Sequence, residues 1–427
     1  MASLAGGQPV DESISIEHLL RKHRSFVDNL QQEVPAPLSK SGVPGDGIVL
    51  YDDLFYLRYA LSFQNNLKAA KDALTFAFEF RSSLEHCQRA ELVASQEVLN
   101  DRDVMESKKW SVAGPLGIDN KNGQPNGRGV LRESTGKGFV VVVRIAMCKR
   151  TDMQNCLTFA AFRHTQLLHR EIGFQYVDRL TRETGLLCKQ VMFLDFAGAS
   201  LSAMRDNRTS SIQAEVSNIS KKVYPQLVDK VAMVNAPSWL SGLLKVFRLI
   251  LPKSTLDKIE LFSSTDGLWN SEWGKRRLKR ENMPKFLGGG LPDEELAPEL
   301  MGQCLSDSLP QVTLKARAKE DIVVDVAHVG TCNVECLVSV LNRGIHFSAV
   351  FQTESEEVVV WKEGKIEAAD GPRVERMTVC GPGVLCLKFS NAHSMMREKN
   401  VVYRVDVLPT AEGVEEGVEV EEETKSF

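Results

Sequence analysis

The chain has no run of eighteen consecutive apolar residues, so no segment is expected to cross a bilayer as a helix. Its most lipophilic stretch, WLSGLLKVFRLIL from Trp239 to Leu251, is short and is broken by Lys245 and Arg248. The first twenty residues, MASLAGGQPVDESISIEHLL, lack both a basic start and an unbroken apolar core, so export by a signal peptide is not expected. The NRT at Asn207 and the NIS at Asn218 match the glycosylation pattern, but without export they would not be modified. The nine cysteines are odd in number and irregularly spaced, which fits reduced thiols in a cytosolic compartment better than a disulfide framework. Strong charge of one sign is also missing. Of the formal net charge of −4, residues 411–427 with seven Glu and one Lys account for −6 and leave about +2 for the rest. A body so close to neutral argues against nucleic acid as a partner, and the acidic tail 409–427 is expected to be disordered.

What is present is the composition of a folded globular protein, 43% hydrophobic and 25% charged, in a chain of 427 residues. That length suits two or three domains. Residues 1–105 are read as an N-terminal segment and a helical module. ISIEHLLRKHRSFVDNL is one helical candidate, and 51–105 repeats apolar residues at intervals of three and four. From 106 to 292 short apolar runs alternate with amphipathic helices. FVVVVRIA at 139–146 and VMFLDF at 191–196 are continuous, as expected of parallel strands covered on both faces; KVAMVN at 230–235 and IELF at 259–262 supply two more. The strand, helix, strand order predicts an α/β sheet with right-handed crossovers. Residues 293–307 are expected to be a linker. Over 308–408 eight short runs, from TLKARA to VVYRVDVL, alternate or are β-branched and are separated by Gly, Asn and Pro, which predicts an all-β sandwich of about eight strands.

Tests for catalytic chemistry fail one after another. RESTGKG around Lys137 invites comparison with a phosphate loop, but Gly129 is seven positions before Gly136, and Gly138 stands where a hydroxyl is needed. The segment also precedes a strand, whereas a phosphate loop follows one. GAS at 198–200 is no nucleophile elbow, because position 202 is Ser202 rather than glycine. Asp195 ends a strand without a histidine within twenty-five residues on either side. Cys332, Cys336, Cys380 and Cys386 have spacings better suited to small buried side chains than to a metal site, and His164 and His169, five apart, do not share a helix face. No catalytic residue, metal or cofactor is therefore expected, and the protein is not expected to be an enzyme.

The stretch 224–262 carries more information. After Trp239, residues Leu240, Leu243, Leu244, Phe247 and Leu251 cluster on one broad face of a helix, while Ser241, Lys245 and Arg248 occupy another. Pro252 stops it, and Ser254 to Asp257 reads as the capping box of a second helix. An ordinary amphipathic helix packed on a sheet fits this pattern. So does a mobile gate over an apolar cavity, able to meet a membrane. A lipid needs such a cavity because each methylene removed from water is worth roughly 0.8 kcal/mol, while its headgroup must keep polar partners. Downstream, KRRLKR places Lys275, Arg276, Arg277, Lys279 and Arg280 within six positions. The patch reads either as a surface for anionic lipid or as a solvated helix face.

Further along the same stretch the residues resemble a known family. Leu57-Arg58-Tyr59, Phe63, Ala69-Ala70 and Phe80-Arg81 follow the helical pattern that opens the CRAL-TRIO family of lipid-transfer proteins, which includes the yeast phosphatidylinositol/phosphatidylcholine transfer protein. FLDFAG at 193–198, Tyr224-Pro225, Asn235-Ala236-Pro237, Thr255, Lys258-Ile259 and Met283-Pro284 to Gly288-Gly289 continue it in order over 48–292. The resemblance implies a lipid cavity closed by the helix after the Asn-Ala-Pro turn. In members that bind phosphatidylinositol, a Glu after Tyr-Pro and a Lys in the next short helix hold the inositol phosphate. Lys258 matches the Lys, but position 226 is Gln226. Two strand positions that carry hydroxyls in choline-lipid binders are Gln190 and Met192 here. These departures leave open a different phospholipid, a sterol-like or isoprenoid ligand, or a degenerate pocket. The implied ligand-binding set is thus Gln190, Met192, Tyr224, Gln226 and Lys258.

Residues 308–408 resemble a GOLD domain, a β-sandwich of secretory-pathway proteins, on Phe389-Ser390-Asn391, Ser394, Arg397, Lys399 and Tyr403-Arg404-Val405. The Trp that family carries after Gly330 is absent, with Cys336 near its place. The two resemblances together imply a cytoplasmic lipid binder that associates transiently with membranes of the Golgi or other endomembranes. Its expected partners are a phospholipid or other hydrophobic small molecule, the membrane surface, and a secretory-pathway protein at the GOLD domain. The alternative is a membrane-trafficking adaptor acting through the GOLD domain, with the lipid domain as a sensor.

Overall fold

The computed structural model describes residues 12–38, 49–64, 66–83, 101–116, 139–201, 210–247 and 256–409. The segment around Lys137, the capping pair's Ser254 and the acidic tail from 410 lie outside these residues. The chain divides into two compact units, Met1–Arg150 with Ala160–Ser306, and Thr151–Phe159 with Asp307–Phe427.

The first unit opens with helices α1 (Ile16–Glu33), α2 (Asp53–Ser62), α3 (Leu67–Ser83) and α4 (Arg102–Lys108). Asp52 caps α2, its side chain accepting from the Phe55 N–H at 3.3 Å, which satisfies one of the orphan donors of a helix start. Seven consecutive residues of α2, Leu54 to Ala60, are buried, so this helix is enclosed on every side rather than along one stripe. Strands β1 (Ala113–Leu116) and β2 (Phe139–Arg144) follow and, after helix α5 (Arg150–Cys156), whose residues from Thr151 group with the second unit, the 26-residue crossover helix α6 (Phe159–Thr184), β3 (Gln190–Asp195), α7 (Ser210–Val223), β4 (Val228–Val234), α8 (Ser238–Phe247), β5 (Ile259–Leu261), α9 (Thr265–Asn270) and α10 (Glu272–Arg277).

Two arginines tie the N-terminal helices to α6. Arg81 donates to both Glu171 oxygens at 2.8 and 2.9 Å, with both side chains wholly buried. Arg58, equally buried, reaches Asp178 at 3.4 Å and Thr181 at 3.2 Å.

The sheet order is β1-β2-β3-β4-β5, with β1 antiparallel to β2 and the other pairs parallel. Side chains alternate across a strand, and the two faces differ. One face, with Val140, Val142, Val191, Phe193, Ala232 and Val234, is buried against Leu268, Leu278, Met283, Leu287, Leu291, Leu296 and Leu300. Gly289 permits the close turn in this cover, because a Cβ there would lie 1.9 Å from the Met283 carbonyl oxygen. Residues 293–306, expected as part of a linker, group with this unit and contribute Leu296, Ala297 and Leu300 as buried side chains.

The second unit is an antiparallel sheet in the order β6-β11-β7-β10-β8-β9, built from β6 (Gln311–Leu314), β7 (Lys319–Val340), β8 (Gly344–Gln352), β9 (Glu357–Glu367), β10 (Arg373–Ser390) and β11 (Lys399–Pro409). The expected eight strands are six. DIVVDVAHV and VECLVSVL are one strand, β7, and VERMTV and VLCLKFS are another, β10. The glycines that suggested breaks lie within the ladder: Gly330 takes φ +102° opposite Gly381, and the register shifts between Gly381 and Gly383. Such a bulge bends a strand without ending it. On one side of the bend β6 pairs with β11, β11 with the second half of β7, and that half with the first half of β10; on the other, the remaining halves of β7 and β10 pair, β8 pairs with β10, and β9 with β8. Val334, Cys336, Val338 and Val401 from the first layer share one core with Phe347, Phe351, Leu387 and Phe389 from the second. The sheet is therefore folded into two facing layers. Cys332 and Cys336 are buried as expected, but Cys380 is exposed and Cys386 half-buried.

Candidate functional site

The other face of the α/β sheet carries two apolar rows and is only partly covered. Pairing registers align Val141, Met192, Val231 and Ile259 in one row across β2 to β5, and Val143, Leu194, Met233 and Leu261 in the next. All eight are half-buried except Leu261, which is 36% exposed. Residues of alternate parity on β2, β3 and β4, Val140, Val142, Val191, Phe193, Ala232 and Val234, are all wholly covered. A sheet normally covers or solvates a face according to its polarity, so eight hydrophobic residues left partly open form a surface suited to an apolar ligand. The two rows stand about 7 Å apart along the strands, at roughly 3.3 Å per residue, and each runs about 14 Å across the four strands at about 4.8 Å per step.

At the amino ends of these strands lie the polar residues singled out in the sequence. The Gln190 N–H, at the start of β3, donates to the Leu227 carbonyl at 2.7 Å, and its side chain is buried. Gln226 takes the left-handed conformation, φ +61°, and donates from Nε2 to Ser62 Oγ at 2.9 Å. Lys258 Nζ donates to the Val228 carbonyl at 2.7 Å; it sits in a turn before β5, not in a helix. Tyr224, buried, packs its ring 5.6 Å from Phe174, and its carbonyl accepts from the Leu227 N–H. Gln190, Gln226 and Lys258 thus meet at one sheet edge beside Tyr224, while Met192 lies two residues further along β3, in the apolar row.

Three further residues belong to this edge. Arg277 Nη2 donates to Asp229 Oδ2 at 2.9 Å. Burial holds Lys189 below the ordinary lysine range; Asp229 opposes the shift, while Lys258, Arg58 and Arg277 reinforce it. Burial likewise lowers Lys258, again opposed by Asp229. Arg58, wholly buried, leaves Nε and Nη1 without hydrogen-bond partners. Lys189, Lys258 and Arg277 therefore lie near Asp229, while Arg58 and Arg182 hold Asp178. Such an excess of partly desolvated cations favours an anion. Lys189, Arg277 and Asp229 had no motif to announce them; they converge only through the pairing of β3, β4 and β5 and the approach of α10.

The carboxyl ends of the strands hold the start of α8. Asp195, buried, accepts from Asn235 Nδ2 at 2.8 Å and from the Ala197 N–H at 3.0 Å. Asn235 takes φ +53°, a conformation Asn tolerates better than most residues, and the Ala236 N–H donates to the Phe262 carbonyl at 3.0 Å. Pro237 then leads into α8, where Leu240 is buried and Trp239 meets Phe196 edge-on at 6.4 Å. Leu243, Leu244 and Phe247 continue the helix, and Leu251 lies outside the described residues.

In the basic stretch, Lys275, Arg276 and Arg280 are exposed, and Arg277 and Lys279 half-buried. Within this stretch Arg277 holds Asp229, and Arg280 donates to the Gly288 carbonyl at 2.9 Å and lies over the Trp269 ring. Elsewhere, Asp101, Asp103 and His164 bring one ligand atom each within 4.8 Å of one another. Asp101 also caps α4 through the Val104 N–H and lies 3.0 Å from His164 Nε2, so a cap and a hydrogen bond already engage two of the three.

Residues 136–289 match the family model described as CRAL/TRIO domain. The SEC14 cytosolic factor of Kluyveromyces lactis is 31% identical over 134 residues, 30% of this chain and 40% of that protein. Its counterpart in Eremothecium gossypii is 33% identical over 99 residues, 22% of this chain and 29% of that one. The chain therefore spans less than half the length of these curated relatives. Among solved structures, Sfh5 superposes with a TM-score of 0.37 at 13% identity, covering 69% of this chain and 96% of that one; a superposition that loose carries no argument. The two apolar rows, Lys189, Lys258, Arg277, Asp229 and the start of α8 all lie within the matched residues.

Proposed function

We propose that the first unit is a non-enzymatic carrier of a hydrophobic ligand, a phospholipid, and that the half-covered apolar face of its sheet is the floor of the lipid site. The observation that carries this proposal is the pair of apolar rows, Val141-Met192-Val231-Ile259 and Val143-Leu194-Met233-Leu261. Acyl chains supply the missing cover, at roughly 0.8 kcal/mol for each methylene taken out of water. Helix α8 is the gate. It turns about Asn235 to Pro237, with Trp239 and Leu240 at its root and Leu243, Leu244, Phe247 and Leu251 along its length.

The headgroup lies at the opposite edge, where Lys258 and Lys189 meet the phosphate and Gln226, Gln190 and the Tyr224 region offer neutral contacts. Gln226 is an amide that bonds Ser62, so it adds no carboxylate beside Asp229. An anionic headgroup such as phosphatidylinositol suits that balance. The carrier works in the cytosol and visits Golgi or other endomembranes, with Lys275, Arg276 and Lys279 steering it to anionic lipid.

We also read the second unit as a GOLD domain that engages a secretory-pathway protein. Support comes from Asn391, wholly buried, which fastens the last connection of the sandwich through three carbonyl contacts.

Exchange of labelled phospholipid between vesicles tests the carrier. The native chain accelerates exchange, and Leu194→Glu, which sets a carboxylate in the middle of the floor, slows it at least about tenfold. No acceleration by the native chain, or an unaffected Leu194→Glu, contradicts the proposal.

A further inference from the structure

The connection between β10 and β11 carries the two most exposed large hydrophobic residues among those described, Met395 at 71% and Met396 at 91%. A loop free to rearrange would fold such side chains inward, because thioether chains are flexible and apolar. This loop is held. Asn391 donates from Nδ2 to the carbonyls of Leu314, Lys315 and Arg397 at 3.2, 2.9 and 2.9 Å, and its N–H donates to Ala318. Ser394 Oγ donates to the Arg397 carbonyl at 2.9 Å, and the Ser394 carbonyl accepts from the Arg317 N–H at 3.1 Å. Eight residues are thus pinned to the β6–β7 turn, with the methionines facing outward at the crest.

The charge around the crest is uneven. Lys315, Arg317 and Lys319 in and beside the facing turn, and Arg397 in the loop, are all exposed, against Glu320 and Glu398. His393 adds an imidazole 5.4 Å from that of His346.

We propose that this crest is a docking site for an anionic phospholipid surface, with Met395 and Met396 entering the interfacial zone and Lys315, Arg317, Lys319 and Arg397 at the level of the lipid phosphates. Two features select this occupant. The apolar pair stands largely exposed in the connection, and a deformable lipid surface buries such side chains more completely than a second rigid surface does. Its basic surround matches the sign of anionic headgroups. The site is in the second unit and does not depend on the lipid floor of the first.

Sedimentation of the full chain with vesicles of phosphatidylcholine alone, and of phosphatidylcholine mixed with phosphatidylserine, is the test. The native chain binds the mixed vesicles preferentially, and added salt weakens the binding. The double variant Met395→Ser/Met396→Ser keeps its thermal midpoint, since neither side chain is packed, and loses about tenfold or more of the partition to mixed vesicles. Arg317→Glu/Arg397→Glu loses a comparable factor. Equal binding to both vesicle types overturns the proposal, as does a methionine variant that binds like the native chain. So does a native chain that binds neither vesicle.

Discussion

Replacing Glu171 by Gln removes one charge from the middle of the first unit and changes almost no volume. Glu171 and Arg81 are both wholly buried, and the two guanidinium contacts at 2.8 and 2.9 Å are bidentate. Gln175 Nε2 donates to the same carboxylate at 2.8 Å. With the carboxylate gone, Arg81 keeps a full positive charge in a place that water does not reach. Breaking a buried pair from one side costs about 3–5 kcal/mol, whereas replacing both partners by apolar residues is often nearly neutral. At about 2–4 °C per kcal/mol for a unit of this class, Glu171→Gln should lower the thermal midpoint by on the order of 10 °C. The double variant Arg81→Met/Glu171→Leu should recover most of that loss. Scanning calorimetry of the three proteins measures both. A Glu171→Gln midpoint within a degree or two of the native value, or a double variant no better than the single, refutes the claim that this pair fastens α3 to α6.

Other expectations follow from individual groups. Arg24, with Gln31, holds the Asp53 carboxyl below its ordinary 3.8 and so clasps α1 to α2. Because the folded value is depressed, the contribution is present above the unfolded value and fades as pH falls through the folded one. Acid titration followed by amide exchange in α1 should therefore show α1 loosening below about pH 4, and Asp53→Asn should remove that pH dependence. Native-state alkylation should modify Cys380, which is exposed, and spare Cys336, whose thiol burial pushes up to about 12. Equal rates at the two would contradict the two-layer packing. Lys258→Ala should abolish phosphoinositide capture without unfolding the chain, measured by binding to phosphoinositide-doped vesicles. Unchanged capture removes Lys258 from the headgroup site.

The α/β architecture was legible because its strands are continuous apolar runs, and FVVVV and VMFLD need no partner to be recognised; the burial on both faces that such runs predict is complete on one face only. The sandwich was legible in kind but not in strand count. Gly330, Gly381 and Gly383 look like chain breaks in a sequence, whereas in the ladder they let β7 and β10 bend from one layer into the other. The expected linker over 293–307 has the acidic, proline-containing composition of a connection, yet Leu296 and Leu300 find places under the sheet that local composition cannot reveal. Lys258 and Gln226 were named as candidates by the resemblance. Lys189, Arg277 and Asp229 were not, because their convergence depends on strand order. The crest at Met395 and Met396 was equally hidden, since only the three carbonyl contacts of Asn391 show that the methionines are held outward.

Identification of what the protein retains from a membrane extract tests the lipid floor most directly. Purified full-length chain is incubated with total membrane lipid, repurified, and its bound molecules are identified by mass spectrometry. The account predicts one phospholipid class at close to one molecule per chain in the native protein and a strong loss in Leu194→Glu. A native protein that comes back empty, or a Leu194→Glu variant that retains the same lipid in the same amount, would contradict it.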